Sequence, residues 1–213
     1  MDVEGTARSI LTVGIAGGTG SGKTTFARAL RAALPPGSVA LIDHDAYYRD
    51  LSHLEPDARA AVNFDDPASL ESELLAEHLD ALAAGQSIQK PTYDFAQHVR
   101  CAATEAVDAA PVILVEGILV LAAPELRARF DLRLFVDAPT DIRLLRRIRR
   151  DIVERGRTID GIAQQYIGSV RAMHDAFVAP SRSFADLVVP GDGDFSVALR
   201  IAADALLHRL RLG

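Results

Sequence analysis

Residues 17–24 read GGTGSGKT and satisfy the spacing G-x-x-x-x-G-K-[ST] through Gly17, Gly22, Lys23 and Thr24. Glycines in this pattern let the backbone curl so that successive N–H groups converge on phosphate oxygens. The lysine then reaches the β- and γ-phosphates, the hydroxyl of Thr24 binds Mg²⁺, and the positive end of the following helix adds to the field. Gly17, Gly18, Thr19, Gly20, Ser21, Gly22, Lys23, Thr24 and Thr25 are therefore the expected triphosphate cradle. The motif arises by chance in a chain of this composition about once in a thousand. The rival dinucleotide fingerprint, G-x-G-x-x-G, is absent here.

Three further groups of residues have types that suit phosphoryl transfer. Glu116 interrupts the apolar run VILVEGILVLAA, where a lone carboxylate is costly unless a metal or a cation accompanies it. It reads as a Walker B-like acid at the C-terminal edge of its strand, where ligands of open parallel sheets bind. The stretch LIDHDAYYRD crowds Asp43, His44, Asp45, Tyr47 and Tyr48 near one point. A carboxylate there can take the proton of an attacking hydroxyl, and the residues alone leave Asp43 and Asp45 equal. His44 has no metal-ligand spacing around it and reads as a loop residue. Residues 143–157 hold seven arginines against two acids, a net of +5, in a chain whose net charge is −6. Leu145, Ile148 and Ile152 form the expected buried stripe of that helix, with Arg143, Arg147 and Arg150 on another face. A one-sign cluster of this kind suits a lid closing over a triphosphate, because the guanidinium fork matches phosphate oxygens.

The elements that position these residues are legible as periodicity. β-branched runs at 10–15, 38–42, 112–115, 132–136 and 185–189 read as strands. Helical spacing covers 24–34, a segment opened by Asp66-Pro67 and ended by Gly85, then 139–154, 158–178 and 195–210. Strands alternating with helices imply a parallel sheet with helices on both faces. The fold class expected is α/β, a P-loop NTPase-type sheet carrying a small inserted β-hairpin lobe near 87–107 and an Arg-rich helical lid near 143–160. The 213 residues form one such domain.

Composition narrows the class further. The acidic balance, with a pI near 5.5, argues against nucleic-acid binding. Cys101 is the single cysteine, which excludes a disulfide framework and reads as a small core hydrophobe. The acidic start MDVEGTARS has no signal-peptide form, and no segment has the length and apolarity of a membrane span. A cytoplasmic location follows, with no membrane partner. Lysine occurs only at positions 23 and 90. Lys90 sits in QKPT, not in an Asn-Lys-x-Asp guanine reader, so a GTPase is excluded.

HDAYYRDLSHL, VNFDDP, PTYDFAQHVR, VEGIL and RRIRRDIVERGR followed by QQY together resemble the uridine kinase (uridine–cytidine kinase) family along nearly the whole chain. The resemblance implies transfer of the γ-phosphoryl of ATP, with GTP as an alternative donor, to the 5′-hydroxyl of uridine or cytidine. It implies Asp45 as general base in place of Asp43, with Lys23 and Arg150 completing the catalytic set. It places Asp65 on the ribose hydroxyls, and Tyr48, Tyr93 and His98 around the base. Arg147, Arg157 and Gln165 become further nucleoside-side residues, and Thr24 with Glu116 the Mg²⁺ site. A homotetramer inhibited by pyrimidine triphosphates is implied as well. Ala46 stands where the family often has Ser, and Asp66 where it often has His. Two other readings fit the phosphate loop: a related kinase acting on a ribulose phosphate or pantothenate type of hydroxyl, and a nucleotide-binding regulator without phosphotransfer.

Overall fold

The computed structural model describes residues 10–212. The N-terminal segment 1–9, expected to carry no signal peptide, lies outside them. Strand β1 (Leu11–Ala16) runs into the glycine loop and helix α1 (Lys23–Ala33), and β2 (Val39–Asp43) follows. Short α2 (Pro56–Ala60) and α3 (Ser72–Ala83) precede a hairpin of β3 (Ile88–Asp94) and β4 (Val99–Val107). Then come β5 (Val112–Glu116), α4 (Pro124–Arg127), β6 (Leu132–Asp137) and α5 (Thr140–Arg155). α6 (Ile159–Gln165), α7 (Arg171–Met173) and α8 (Ala179–Ser181) form one rod, joined by wide π-helical turns at Tyr166–Val170 and His174–Val178. β7 (Leu187–Pro190) and α9 (Ser196–Leu212) close the chain.

Five strands form a parallel sheet in the order β2-β5-β1-β6-β7, and β3 and β4 form a separate antiparallel pair. The alternation of side chains explains the two cores. Val13, Ile15, Val112, Leu114, Leu134 and Val136 face α1 and α9. Ile42, Ile113, Val115 and Phe135 face α3 and the hairpin side. With both faces covered, the strands read as continuous apolar runs, as expected.

The structure corrects several expectations. Asp66 does cap a turn, accepting from the Ala68 N–H at 2.8 Å, but the turn is only Pro67–Ser69. Leu70 is then extended and bridges to Tyr48, so the long helix starts two residues later, at Ser72. Helices α2 and α4 went unread because five- and four-residue helices show no period. Cys101 is half-buried on β4 of the hairpin, not in the core. Among the described residues no helix is long and apolar enough to cross a membrane.

Candidate active site

Parallel strands bring their C-terminal ends to one edge, and the loops that leave that edge build the site. The phosphate loop leaves β1. Ser21 N–H returns to the Gly18 carbonyl at 3.0 Å, and Gly22 ends the loop in the left-handed region at φ 97°. Lys23, first residue of α1, is buried. The Thr24 hydroxyl donates to Glu116 Oε1 at 2.8 Å, and Lys23 Nζ lies 4.0 Å from Glu116 Oε2. Glu116 ends β5, level with Ile15 of β1 and Asp43 of β2.

Burial, reinforced by Asp45, raises the Glu116 pKa, while Lys23 and Thr24 oppose the rise. A carboxylate in this setting lacks positive charge. Together with the hydroxyl it touches, it fits a divalent ion that takes its remaining ligands from phosphates and water. No cluster of three or more His, Cys, Asp or Glu that could hold a metal by itself occurs among the described residues.

The two acids of the β2 loop are separated by their neighbours. Asp43 is paired with Lys90 Nζ at 2.8 Å, and the same ammonium meets Glu105 Oε2 at 3.0 Å. Asp45, in the 3₁₀ turn His44–Tyr47, lines the pocket that also contains Lys23 and Thr19. Lys90 is thus the pin that ties the hairpin to β2, a role the sequence reading missed. The rarity of lysine, present only at positions 23 and 90, was its one signal in the sequence.

His44, expected as a loop residue, is fully buried in that turn, with Nε2 3.2 Å from Ser72 Oγ. Burial, opposed by Asp43, pulls its pKa down to about 4. Between that value and the ordinary 6.5, the unfolded chain takes a proton that the folded chain refuses. Stability must therefore fall as pH drops through this window, by up to about 1.4 kcal/mol per pH unit. Urea melts at pH 7 and pH 5 are expected to show a smaller acid loss in His44→Asn than in wild type. Equal losses would exclude His44 as the source.

On the acceptor side the pocket is aromatic. Tyr48 donates to the Phe64 carbonyl at 3.0 Å and packs on Tyr93, with ring centroids 5.4 Å apart. His98, held at φ 55°, stacks on Phe64 with centroids 4.8 Å apart and planes 19° apart. Burial, then Arg157 and Arg155, lower the His98 pKa, so its imidazole is neutral at pH 7. Asp65 is buried at the rim, its pKa raised by burial against the pull of Arg147. Arg100 clamps the hairpin to this loop, reaching Glu71 at 2.6 Å and the Tyr48 carbonyl at 2.7 Å.

Helix α5 reverses the expected amphipathicity. Leu145 is 64% exposed and Ile152 38% exposed, and Ile148 is only half-buried, whereas Arg143, Arg147 and Asp151 are buried. The arginine face docks because it finds partners. Arg147 donates to Thr19 Oγ1 at 3.2 Å and to Gln165 Oε1 at 2.8 Å, and Arg157 reaches the same Gln165 oxygen at 3.1 Å. Gly156, left-handed at φ 62°, ends the helix and turns Arg157 back onto it. Arg143, grouped with the phosphate-facing arginines in sequence, lies behind the loop instead. It bonds the Ala138 carbonyl, Thr140 and His174, and its own carbonyl stands 2.2 Å from where a Gly20 Cβ would be.

One pocket gathers Thr19, Lys23, Asp45, Tyr48, Asp65, Tyr93, His98, Arg147, Arg150, Arg157 and Gln165. Phe64, Phe95, Ile118 and Arg155 line it too, and the sequence reading had passed over them. Arg155 lies over the Phe95 ring at 5.6 Å, and both stand inside motifs already singled out. Of the phosphate loop only Thr19 and Lys23 reach this pocket; Gly18 lines a second one with Arg143 and His174, and Thr24 and Glu116 line neither.

Comparison with known proteins identifies the family. The model of the Phosphoribulokinase / Uridine kinase family matches residues 12–198. A uridine kinase of Chloroflexus aurantiacus is 50% identical over 189 residues, 89% of this chain and 90% of the relative. One of Alkaliphilus metalliredigens is 45% identical over 89% of this chain and 91% of its own length. Among solved structures, D-glycerate 3-kinase of Cryptococcus neoformans superposes with a TM-score of 0.63 at 15% identity, covering 88% of each chain. A possible uridine kinase of Bacillus stearothermophilus does so at 0.57 and 20%, covering 87% of this chain and 91% of that one. These two show the fold alone, a parallel-sheet P-loop kinase. With the family model spanning most of its length, the chain belongs to the phosphoribulokinase/uridine kinase family.

Proposed function

We propose that this protein is an ATP-dependent kinase that phosphorylates the 5′-hydroxyl of uridine and cytidine, giving UMP and CMP for pyrimidine salvage. The observation that carries the reading is the pocket that Asp45 lines together with Thr19 and Lys23 of the phosphate loop and with His98, which stacks on Phe64. The relatives named as uridine kinases support it. The whole chain acts as one domain, with the 87–107 hairpin as the fixed wall of the acceptor site and residues 143–160 as its lid.

The nucleoside seats its base against Tyr48, Tyr93 and His98, and its ribose hydroxyls on Asp65. Gln165, Arg147 and Arg157 close the far side. Asp45 orients the 5′-hydroxyl. As the oxygen bonds to the γ-phosphorus and the bond to the β-bridging oxygen breaks, the proton passes to an Asp45 Oδ and ADP departs. A sugar hydroxyl is far too weak an acid to be deprotonated first, so this transfer comes late in a loose transition state. Backbone N–H groups of residues 17–25, Lys23 and Arg150 offset the charge on the phosphoryl oxygens. Thr24 and Glu116 would hold Mg²⁺, which would supply positive charge to offset the negative charge of the phosphates. The working protein is a cytoplasmic homotetramer in this reading.

The test is a panel of nucleosides, ribulose 5-phosphate and pantothenate with Mg·ATP, read by ADP release. Uridine and cytidine are expected to turn over, and thymidine poorly, because Asp65 loses a hydroxyl partner at a cost of about 1–3 kcal/mol. Turnover of a sugar phosphate or pantothenate in their place would overturn the proposal, as would nucleotide binding with no transfer at all. Base choice has its own test. A neutral imidazole offers one donor and one acceptor and can meet either pyrimidine by changing tautomer. His98→Tyr is therefore expected to shift the uridine-to-cytidine ratio of kcat/KM. A ratio unchanged within error would remove His98 from base reading.

A further inference from the structure

The carboxylate of Asp151 is completely buried within the lid and is surrounded by arginines. Arg147 Nε lies at 3.6 Å, Arg155 Nη1 at 3.6 Å and Arg157 Nη1 at 3.3 Å. Arg150 is the closest, with Nε at 2.9 Å and Nη2 at 2.8 Å, both on Asp151 Oδ1. That contact is not one a helix supplies by default, since adjacent residues point about 100° apart. The Arg150 side chain bends back to make it. Burial disfavours the ionised carboxylate, yet Arg150, Arg155 and Arg147 overcome burial and hold the Asp151 pKa below the ordinary range. The group is a permanent anion at the centre of the cationic wall.

Arg150 also lines the cavity beside Lys23 and Asp45. It is therefore within reach of two anions that offer the same oxygen geometry, the carboxylate behind it and a phosphoryl group in front. We infer that Asp151 is an internal surrogate for the terminal phosphate, a positioning residue that occupies Arg150 while the site is empty and that a bound triphosphate must displace from Arg150. Part of the affinity for triphosphate is spent on that exchange. The inference rests on the triphosphate half of the proposed function and is independent of which hydroxyl is phosphorylated.

Calorimetric titration with inorganic triphosphate, in the absence of any nucleoside, tests it. Asp151→Asn is expected to bind triphosphate about tenfold more tightly than wild type. Asp160→Asn, which removes an exposed acid at the start of α6, should change binding less than about twofold. The gain from Asp151→Asn should vanish in an Arg150→Ala background. Unchanged or weaker binding in Asp151→Asn overturns the inference, as does a gain that persists without Arg150, or one matched by Asp160→Asn. The wild-type protein provides a second measurement that needs no altered Asp151. The Arg150 Nε–H resonance, identified by its absence in Arg150→Lys, should move on adding triphosphate as its bond to Oδ1 is lost. A resonance that stays in place while triphosphate binds overturns the exchange. Failure of the nucleoside panel with success here would leave the surrogate role standing.

Discussion

Asp45→Asn is expected to retain ATP and uridine binding and to lower kcat by about 10²–10⁴-fold, the range a general base supplies. The neighbouring acid provides the control. Asp43 is two residues away and chemically identical, but Lys90 holds it at 2.8 Å at the root of the hairpin, whereas Asp45 opens into the cavity with Lys23. Asp43→Asn should therefore act through the hairpin, raising the KM for uridine more than it lowers kcat. Steady-state kinetics on both variants decide the matter. If Asp43→Asn has the larger loss in kcat, the proton acceptor has been misassigned.

Lys23→Ala should cost more, at least about 10³-fold in kcat/KM for ATP, because it removes the one ammonium inside the phosphate loop. It also leaves a mark unrelated to turnover. Lys23 is the main cation restraining the upward shift of the Glu116 pKa. Without it the Glu116 carboxyl rises further and holds its proton to higher pH, so residual activity should need a higher pH than in wild type. A loss of activity with an unmoved acid limb would separate the phosphate role of Lys23 from its pairing with Glu116.

The sequence was most informative where geometry repeats. The five sheet strands, the glycine loop, the hairpin and the β5 carboxylate all follow from local period and spacing, because each is fixed by backbone sterics and burial. Helix α5 shows where that reasoning ends. Leu145 and Ile152 have the spacing of a buried stripe, and a hydrophobic pattern normally decides which face docks. Here Arg147 and Asp151 dock instead, since Thr19 and Gln165 accept from Arg147, and Arg150 and Arg157 donate to Asp151, in hydrogen bonds that only the tertiary structure reveals. Lys90 was equally opaque, since its partners Asp43 and Glu105 lie 47 positions before it and 15 after it in the chain. The site residues Tyr48, Asp65, Tyr93 and Gln165 were recognisable as parts of family motifs. Their convergence on one cavity depends on how the hairpin and lid pack on the sheet edge.

Arg147 touches Thr19 of the phosphate loop with one nitrogen and Gln165 of the acceptor wall with another. A single planar guanidinium therefore belongs to both half-sites, and whatever orders it for one substrate has already ordered it for the other. On the proposed function, phosphate donor and nucleoside are expected to bind as linked ligands, each altering the other's affinity by the same factor.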